Sequence, residues 1–213
     1  MSSARLIWMT PDAEQQIEYC ARVSSPENQE RMEKGELTPG RLLRYCARKG
    51  HWSIFEMANA CIAVTTTRDI SAQILRHRSF SFQEFSTRYT QVSRRSVAPE
   101  LRPQDPKNRQ SSLDAPIDLS GVQRVLDRAH DAYDDLIRCG VARECARRVL
   151  PLCTPTKLYM NGTIRSWIHY FKARCTPETQ KEHRELALQA RALLARNLQV
   201  IAEAFDWNGD PNE

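Results

Sequence analysis

Residues 94–121, RRSVAPELRPQDPKNRQSSLDAPIDLSG, carry Pro99, Pro103, Pro106 and Pro116 among very few apolar side chains. Proline fixes φ and removes a backbone donor, so prolines at this spacing exclude a helix or a central strand. The stretch reads as a long functional loop or mobile excursion rather than core. The packed part of the chain has to come from the sequence on either side.

Those flanks read as helices around short strands. TPDAEQQIEYCARVSS offers Thr10 as a cap and Pro11 in the first turn, and TPGRLLRYCARKG repeats that signal at Thr38 and Pro39 and closes on Gly50. EMANACIAVTTT, residues 56–67, is a run of small and β-branched residues and is expected to be a largely buried strand. RDISAQILRHR, 68–78, is expected to be helical to its end. After the proline-rich stretch, GVQRVLDRAHDAYDDLIRCG and VARECARRVLP read as helices, TKLYMNGTI as a strand and RSWIHYFKAR as a short helix. PETQKEHRELALQARALLARNLQVIAEAF reads as one long terminal helix opened by Pro177 after Thr176. With no internal repeat and no clean linker, the expectation is a single α+β domain over residues 1–213. It is helix-rich, with a small mixed or antiparallel central sheet flanked by helices and a long C-terminal helix.

Lys and Arg exceed Asp and Glu by 31 to 26, which favours anionic ligands but is too mild to demand a nucleic acid. The lysines are Lys34, Lys49, Lys107, Lys157, Lys172 and Lys181, so most of the positive charge sits on arginine forks suited to phosphates and carboxylates. The seven cysteines are odd in number and include no C-x-x-C pair, so neither a disulfide framework nor a zinc site is signalled and no metal is expected. No apolar run approaches the roughly 18 residues of a membrane span, and MSSARLIWMT lacks a secretory apolar region. A soluble protein of the reducing cytoplasm is expected.

RHRSFSFQEFSTRY, Arg76 to Tyr89, concentrates cations, hydroxyls and one carboxylate between phenylalanines. If the preceding helix runs to about Arg78, Gln73, Arg76 and His77 share a face. In an extended segment Glu84, Ser86 and Arg88 point the same way. A basic cluster beside aromatics also suits a nucleic-acid-binding module, in which arginines contact phosphates and aromatics stack bases. Glu84 weakens that alternative, because a carboxylate among cations suits a pocket that also recognises donors on a sugar or base.

The stretch resembles the signature of the flavin-dependent thymidylate synthases. GHWSIFE at residues 50–56, ARRVLP at 146–151 and GTIRSWIHYFKARCTPETQKEHR at 162–184 resemble further segments of that family. The resemblance implies reductive methylation of dUMP to dTMP, with 5,10-methylenetetrahydrofolate as carbon donor and FAD, reduced by NADPH, as hydride source. It implies a homotetramer with flavin sites shared between subunits. By the same resemblance the nucleotide is held by Gln73, Ile74, Leu75, Arg76, Glu84, Phe85, Ser86, Thr87, Arg88, Arg147 and Arg174. FAD is held by Ser53, Arg76, His77, Arg78, Glu84, Thr163, Ile164, Arg165 and His169, with His51 near the flavin and folate rings. Gln83 and Met57 depart from the residues expected at their positions.

Taken alone, Arg147 and Arg165 are ordinary helix-surface arginines, His169 an interior histidine and KEHR at 181–184 a charged helix face. None of the cysteines lies in the signature or in surroundings that lower a thiol pKa. Ser86 is a candidate nucleophile only if a base lies within reach. The preferred expectation is electrostatic activation, with the fixed cation of Arg174 stabilising negative charge on the uracil ring.

Overall fold

The structure is a computed structural model describing residues 2–37 and 40–209. Its elements are β1 (Ser3–Met9), α1 (Ala13–Ala21), α2 (Pro26–Glu33), α3 (Arg41–Lys49), a 3-10 helix (Trp52–Met57), β2 (Asn59–Thr67), α4 (Arg68–Ile74) and β3 (Ser81–Glu84). They continue with α5 (Val122–Arg138), α6 (Arg143–Ala146), a 3-10 turn (Arg147–Val149), β4 (Pro155–Thr163), α7 (Ile164–Arg174), α8 (Lys181–Ala195) and α9 (Gln199–Ala204). The strands form one antiparallel sheet in the order β1-β2-β4-β3, so the helix-rich α+β class expected from sequence is the one observed. No helix among the described residues is long and apolar enough to cross a membrane.

The chain divides into two compact units. The first takes Thr65–Arg76 and Glu84–Leu158, the second Ser2–Val64, His77–Gln83 and the chain from Tyr159 onward. In the second unit α8 packs on β1, α1 and α7 pack on the 3-10 helix, and α3 packs on α9. Ile17, Leu43, Phe55, Ile62, Trp167 and Ile201 fill its core. In the first unit α5 packs on α6 and the 3-10 turn, burying Tyr133, Val92 and Ala146.

Several local expectations are corrected. Thr10 does not cap α1: its N–H donates to the Asn59 carbonyl at 2.9 Å and its hydroxyl accepts from the Asn59 N–H at 3.0 Å, which ties it to the start of β2. The helix opens from Asp12 instead, at a left-handed φ of 47°. The start signal at Thr38 and Pro39 lies outside the described residues. Strand β1 and helix α2 were not anticipated, and the segment 143–149 is a short helix followed by a 3-10 turn. The terminal helix is two helices: the Asn197 side-chain amide donates to the Leu193 carbonyl at 2.9 Å and ends α8, and α9 begins at Gln199. Nor does that helix open at Pro177. Thr179 turns back to the Thr176 carbonyl, and α8 begins at Lys181.

The proline-rich excursion makes defined contacts within the first unit. Buried side chains of α5 hold its approach: the Tyr133 hydroxyl accepts from Val92 N–H at 3.1 Å, and His130 Nε2 accepts from Ser96 N–H at 2.9 Å. Further out, antiparallel bridges join Leu101 to Ile117 and Gln104 to Ser112, and Gln104 Nε2 donates to three loop carbonyls.

One small residue sets how the segment 77–83 lies in the second unit. Gly162 in β4 faces the Phe80 ring so closely that an added Cβ would fall inside its contact distance. Phe80 in turn sits edge-on to Trp167 of α7, 4.8 Å between centroids. Gly162→Ala is expected to overpack this contact and destabilise the protein by about 1–3 kcal/mol. Urea unfolding checks this through a lower midpoint at unchanged slope, and an unchanged midpoint contradicts it.

Candidate functional site

The signature stretch is shared out differently from the expectation. Helix α4 ends at Ile74, with Leu75 as its cap, and Arg76 and His77 lie past it. The shared helical face of Gln73, Arg76 and His77 is therefore absent. The extended run also stops early. Strand β3 ends at Glu84, and the Ser86 carbonyl accepts from the N–H groups of Tyr89 and Thr90, making a turn in which Glu84, Ser86 and Arg88 no longer alternate.

In the first unit Glu84 works as an internal brace. Its Oε1 accepts from the Ser71 hydroxyl at 2.7 Å and the Thr156 hydroxyl at 3.0 Å, and Arg68 Nη1 lies 3.8 Å away. A ligand contact by Glu84 falls to its other oxygen. Thr87 is buried and its hydroxyl accepts from Arg147 at 3.3 Å, so Arg147 is linked to the signature turn rather than lying free on a helix surface. Arg143 donates to the Tyr89 carbonyl at 2.8 Å, and Arg88 pairs at 3.1 Å with Glu144, both exposed. The turn thereby borders an open groove of about 690 Å³ lined by Ser86, Arg88, Tyr89, Ile137, Val141 and Arg143, a size that suits a nucleotide. Arg76 is exposed and makes no ion pair among the described residues. Leu75 and Phe85 are partly exposed, but Ile74 is fully buried, so it can offer a ligand only its backbone.

The Ser86 hydroxyl has no hydrogen-bonded histidine or carboxylate among the described residues. All seven cysteines are free. Burial pushes the Cys175 thiol, next to Arg174, up to about 11, so it stays protonated at neutral pH.

In the second unit α7 carries two arginines on opposite sides. Arg165 pairs with Glu56 of the 3-10 helix. Nine residues on, Arg174 turns to the segment 77–83, where its Nε–H donates to His77 Nε2 at 2.8 Å. Thr163 caps α7 by accepting from Ser166 N–H at 3.1 Å, and the Ile164 N–H donates to the Ala58 carbonyl, so both positions are engaged within the chain. The Ser166 hydroxyl donates to the Ser79 carbonyl at 3.1 Å, holding the loop on the helix. His169, expected to contact FAD, is exposed, which excludes the alternative of an interior histidine, and its ring lies 5.0 Å from Trp52. Lys172 Nζ sits 4.6 Å above the same indole. His51, Ser53, Met57, Arg78 and Gln83 are exposed.

Two residues of this region were missed. Tyr170, buried in α7, sets its ring edge-on to His77 with centroids 4.9 Å apart. Its hydroxyl shares a hydrogen bond of 3.1 Å with Nε2 of His183, which is fully buried. KEHR is therefore not a charged face throughout. The signal was present in the helical periodicity, since His183 shares one stripe with Leu186, Ala187, Ala190 and Leu194, all buried. Burial, then the Arg174 charge, lower His77 to about 4, and burial followed by Arg174 and His77 lowers His183 to about 3. Both imidazoles are neutral at pH 7.

A family model described as thymidylate synthase complementing protein matches residues 5–198. The chain is 50% identical over 198 residues to the flavin-dependent thymidylate synthase of Synechocystis sp., covering 90% of this chain and 88% of that protein. It is 44% identical over 218 residues to a probable flavin-dependent thymidylate synthase of Paramecium bursaria Chlorella virus 1, covering 96% and 99%. Among solved structures, a UMP/dUMP methylase PolB from Streptomyces cacaoi, bound with 5-Br dUMP, matches with a TM-score of 0.81 at 26% identity over 97% of this chain and 95% of that one.

The depressed histidines give stability a pH dependence of definite sign. In the unfolded chain each titrates near about 6.5, so between that value and the folded value the unfolded state binds more protons. Stability is fully present above about pH 6.5 and falls on acidification, through about 4 for His77 and about 3 for His183, with His130 and His169 shifted in the same direction. His183→Gln is expected to flatten unfolding free energy against pH by at most about 1.4 kcal/mol per pH unit below 6.5. Denaturant unfolding at stepped pH checks it, and an unchanged slope contradicts it.

Proposed function

We propose a function from one premise: the chain belongs to the flavin-dependent thymidylate synthase family. It methylates dUMP to dTMP, with 5,10-methylenetetrahydrofolate giving the carbon and NADPH the reducing equivalents, and the whole chain acts as one functional domain in a homotetramer. The nucleotide assignment is supported by the groove beside Ser86 and Arg88 and by the UMP/dUMP methylase among the solved structures of similar fold. The donor set fits FAD. In the second unit Arg78 is an exposed guanidinium with no ion pair among the described residues, and Arg165 is held only by an exposed carboxylate, so forks are available for a diphosphate. Ser53, His77 and His169 would join them. When bound, the reduced flavin supplies a hydride.

The single observation that carries the mechanistic reading is the character of Arg174's partner. Arg88 and Arg165 face carboxylates, which offset their charge, whereas Arg174 donates to a neutral imidazole and makes no ion pair among the described residues. A half-buried guanidinium held this way keeps its charge for a ligand. Its terminal nitrogens, still able to donate, would meet the uracil imide and stabilise negative charge spreading over the ring, which makes carbon 5 nucleophilic without a covalent enzyme adduct. Net, the proton on carbon 5 leaves, and a methyl group assembled from the folate methylene and the hydride takes its place. Ser86 contributes a hydrogen bond to the nucleotide.

Turnover at saturating dUMP separates binding from transition-state stabilisation. Arg174→Ala is expected to fold and to be reduced by NADPH, yet to form almost no thymidylate. Arg174→Lys keeps a charge but loses the planar fork, so its turnover is expected to fall well beyond its loss of affinity. Wild-type turnover in either variant would make Arg174 a binding residue only. Ser86→Ala is expected to retain measurable synthesis, because one neutral hydrogen bond contributes roughly 0.5–1.5 kcal/mol.

A further inference from the structure

The cluster behind Arg174 contains more polar chemistry than its packing needs. Tyr170 sits among Phe80, Trp167 and Phe171, at centroid distances of 5.9, 5.7 and 5.8 Å, and is 3% exposed. In such surroundings a phenylalanine would pack as well. The hydroxyl is nevertheless present, and its 3.1 Å partner is the imidazole of His183, itself fully enclosed on the apolar stripe of α8. Burying two polar groups to satisfy each other yields little net stability, and replacing both by apolar groups of similar shape is often nearly neutral. What such a bond does supply is direction, since it anchors the hydroxyl end of the tyrosine's long axis and holds α7 and α8 in one register.

The direction is passed on by contact. The Tyr170 ring meets His77 at 4.9 Å and an interplanar angle of 79°, and His77 lies 6.4 Å from His183. His77 can therefore tilt little without displacing a ring that is pinned at its far end. The plane of His77 matters because its Nε2 is the acceptor for Arg174 Nε–H, and a guanidinium held at Nε by an in-plane acceptor has its own plane set. His183, Tyr170, His77 and Arg174 thus form one continuous series of contacts, three of whose members come from the signature stretch or α7.

We propose that Tyr170 and His183 are positioning residues that act through His77 to hold the Arg174 guanidinium in the plane its task on the uracil requires. The inference rests on the reading of Arg174 given above. Neither residue touches the substrate. Their contribution is confined to the orientation of a side chain that would otherwise be free to turn about its Cδ–Nε bond. The neutral state of both histidines at physiological pH keeps His77 an acceptor.

The test is the double variant Tyr170→Phe/His183→Leu, beside His183→Gln and Arg174→Lys, assayed as the flavin-loaded full-length protein with dUMP. The double variant removes both members of the Tyr170–His183 bond together, so its kcat is read against its melting temperature, and it is expected to bind dUMP with little change in KM. Its kcat is expected to fall on the order of ten- to a hundredfold through misorientation of Arg174. His183→Gln, whose amide can still bond the tyrosine hydroxyl, is expected to recover part of that loss. Wild-type kcat in the double variant overturns the inference. So does a loss of kcat that merely follows the loss of melting temperature across the variants, since that is what a structural role produces. If Arg174→Lys itself has wild-type turnover, the reading of Arg174 fails. If Arg174→Lys is impaired while the double variant is not, only the positioning role fails.

Discussion

The hydrogen bond from Arg174 Nε–H to His77 Nε2 is the interaction on which the second unit's site depends. An imidazole accepts such a bond only at a bare nitrogen, so His77 has to be neutral, with any ring proton on Nδ1. Its half-buried place beside a permanent cation enforces that state, because a protonated ring would lose the bond and face a like charge. The same arrangement leaves Arg174 without an anionic partner among the described residues. A carboxylate in place of His77 would hold the arginine more tightly and at the same time quench it. A neutral acceptor orients the group and preserves its charge, which is the combination electrostatic catalysis needs.

The fold serves this by supplying rigid elements on each side of the signature. In the first unit, Glu84 gathers hydroxyls from α4 and β4, and Thr87 is enclosed and linked to Arg147, so the turn at Ser86–Arg88 starts from a braced position. In the second, Phe80 fits against Gly162, Ser79 is tied to Ser166, and α7 is capped by Thr163. The phenylalanines that punctuate the signature therefore differ in kind. Phe80 is a packing residue, whereas Phe85 stays partly exposed. The polar residues between them are presented by structure that is already satisfied internally, which keeps their geometry when charged groups bind.

Much of this was legible in the residues. The proline-rich excursion, the buried run that became β2 and the TKLYMNGTI strand that became β4 follow from local chemistry, and the cations of the signature announce an anionic ligand. What could not be read is long-range. Nothing in the spacing of His77 and Arg174 shows that one accepts from the other, and nothing in RDISAQILRHR marks its helix as ending at Ile74. Asn197 broke the terminal helix through a side-chain bond that competes with helix propagation, where apolar periodicity alone pointed to continuation. His183 is the instructive miss. Its neighbours Lys181, Glu182 and Arg184 suggested a solvated face, yet its register placed it on the stripe of Leu186 and Ala190, and periodicity was the better guide. Glu84 is a ligand by the family resemblance, and its role as a brace could not be read beside it. Its hydroxyl partners Ser71 and Thr156 come from separate elements and give no sequence signal.

The central claim is that Arg174 is oriented by a neutral His77 acting as acceptor at Nε2. Nitrogen-15 NMR of histidine-labelled protein measures this directly, and with five histidines in the chain each signal is assignable by single substitution. The account predicts that between pH 5 and 8, a range lying above about 4, the His77 ring does not titrate, carries its proton on Nδ1 and shows Nε2 as a bare, hydrogen-bonded nitrogen. A His77 that titrates near its ordinary value, or that carries its proton on Nε2, would contradict it.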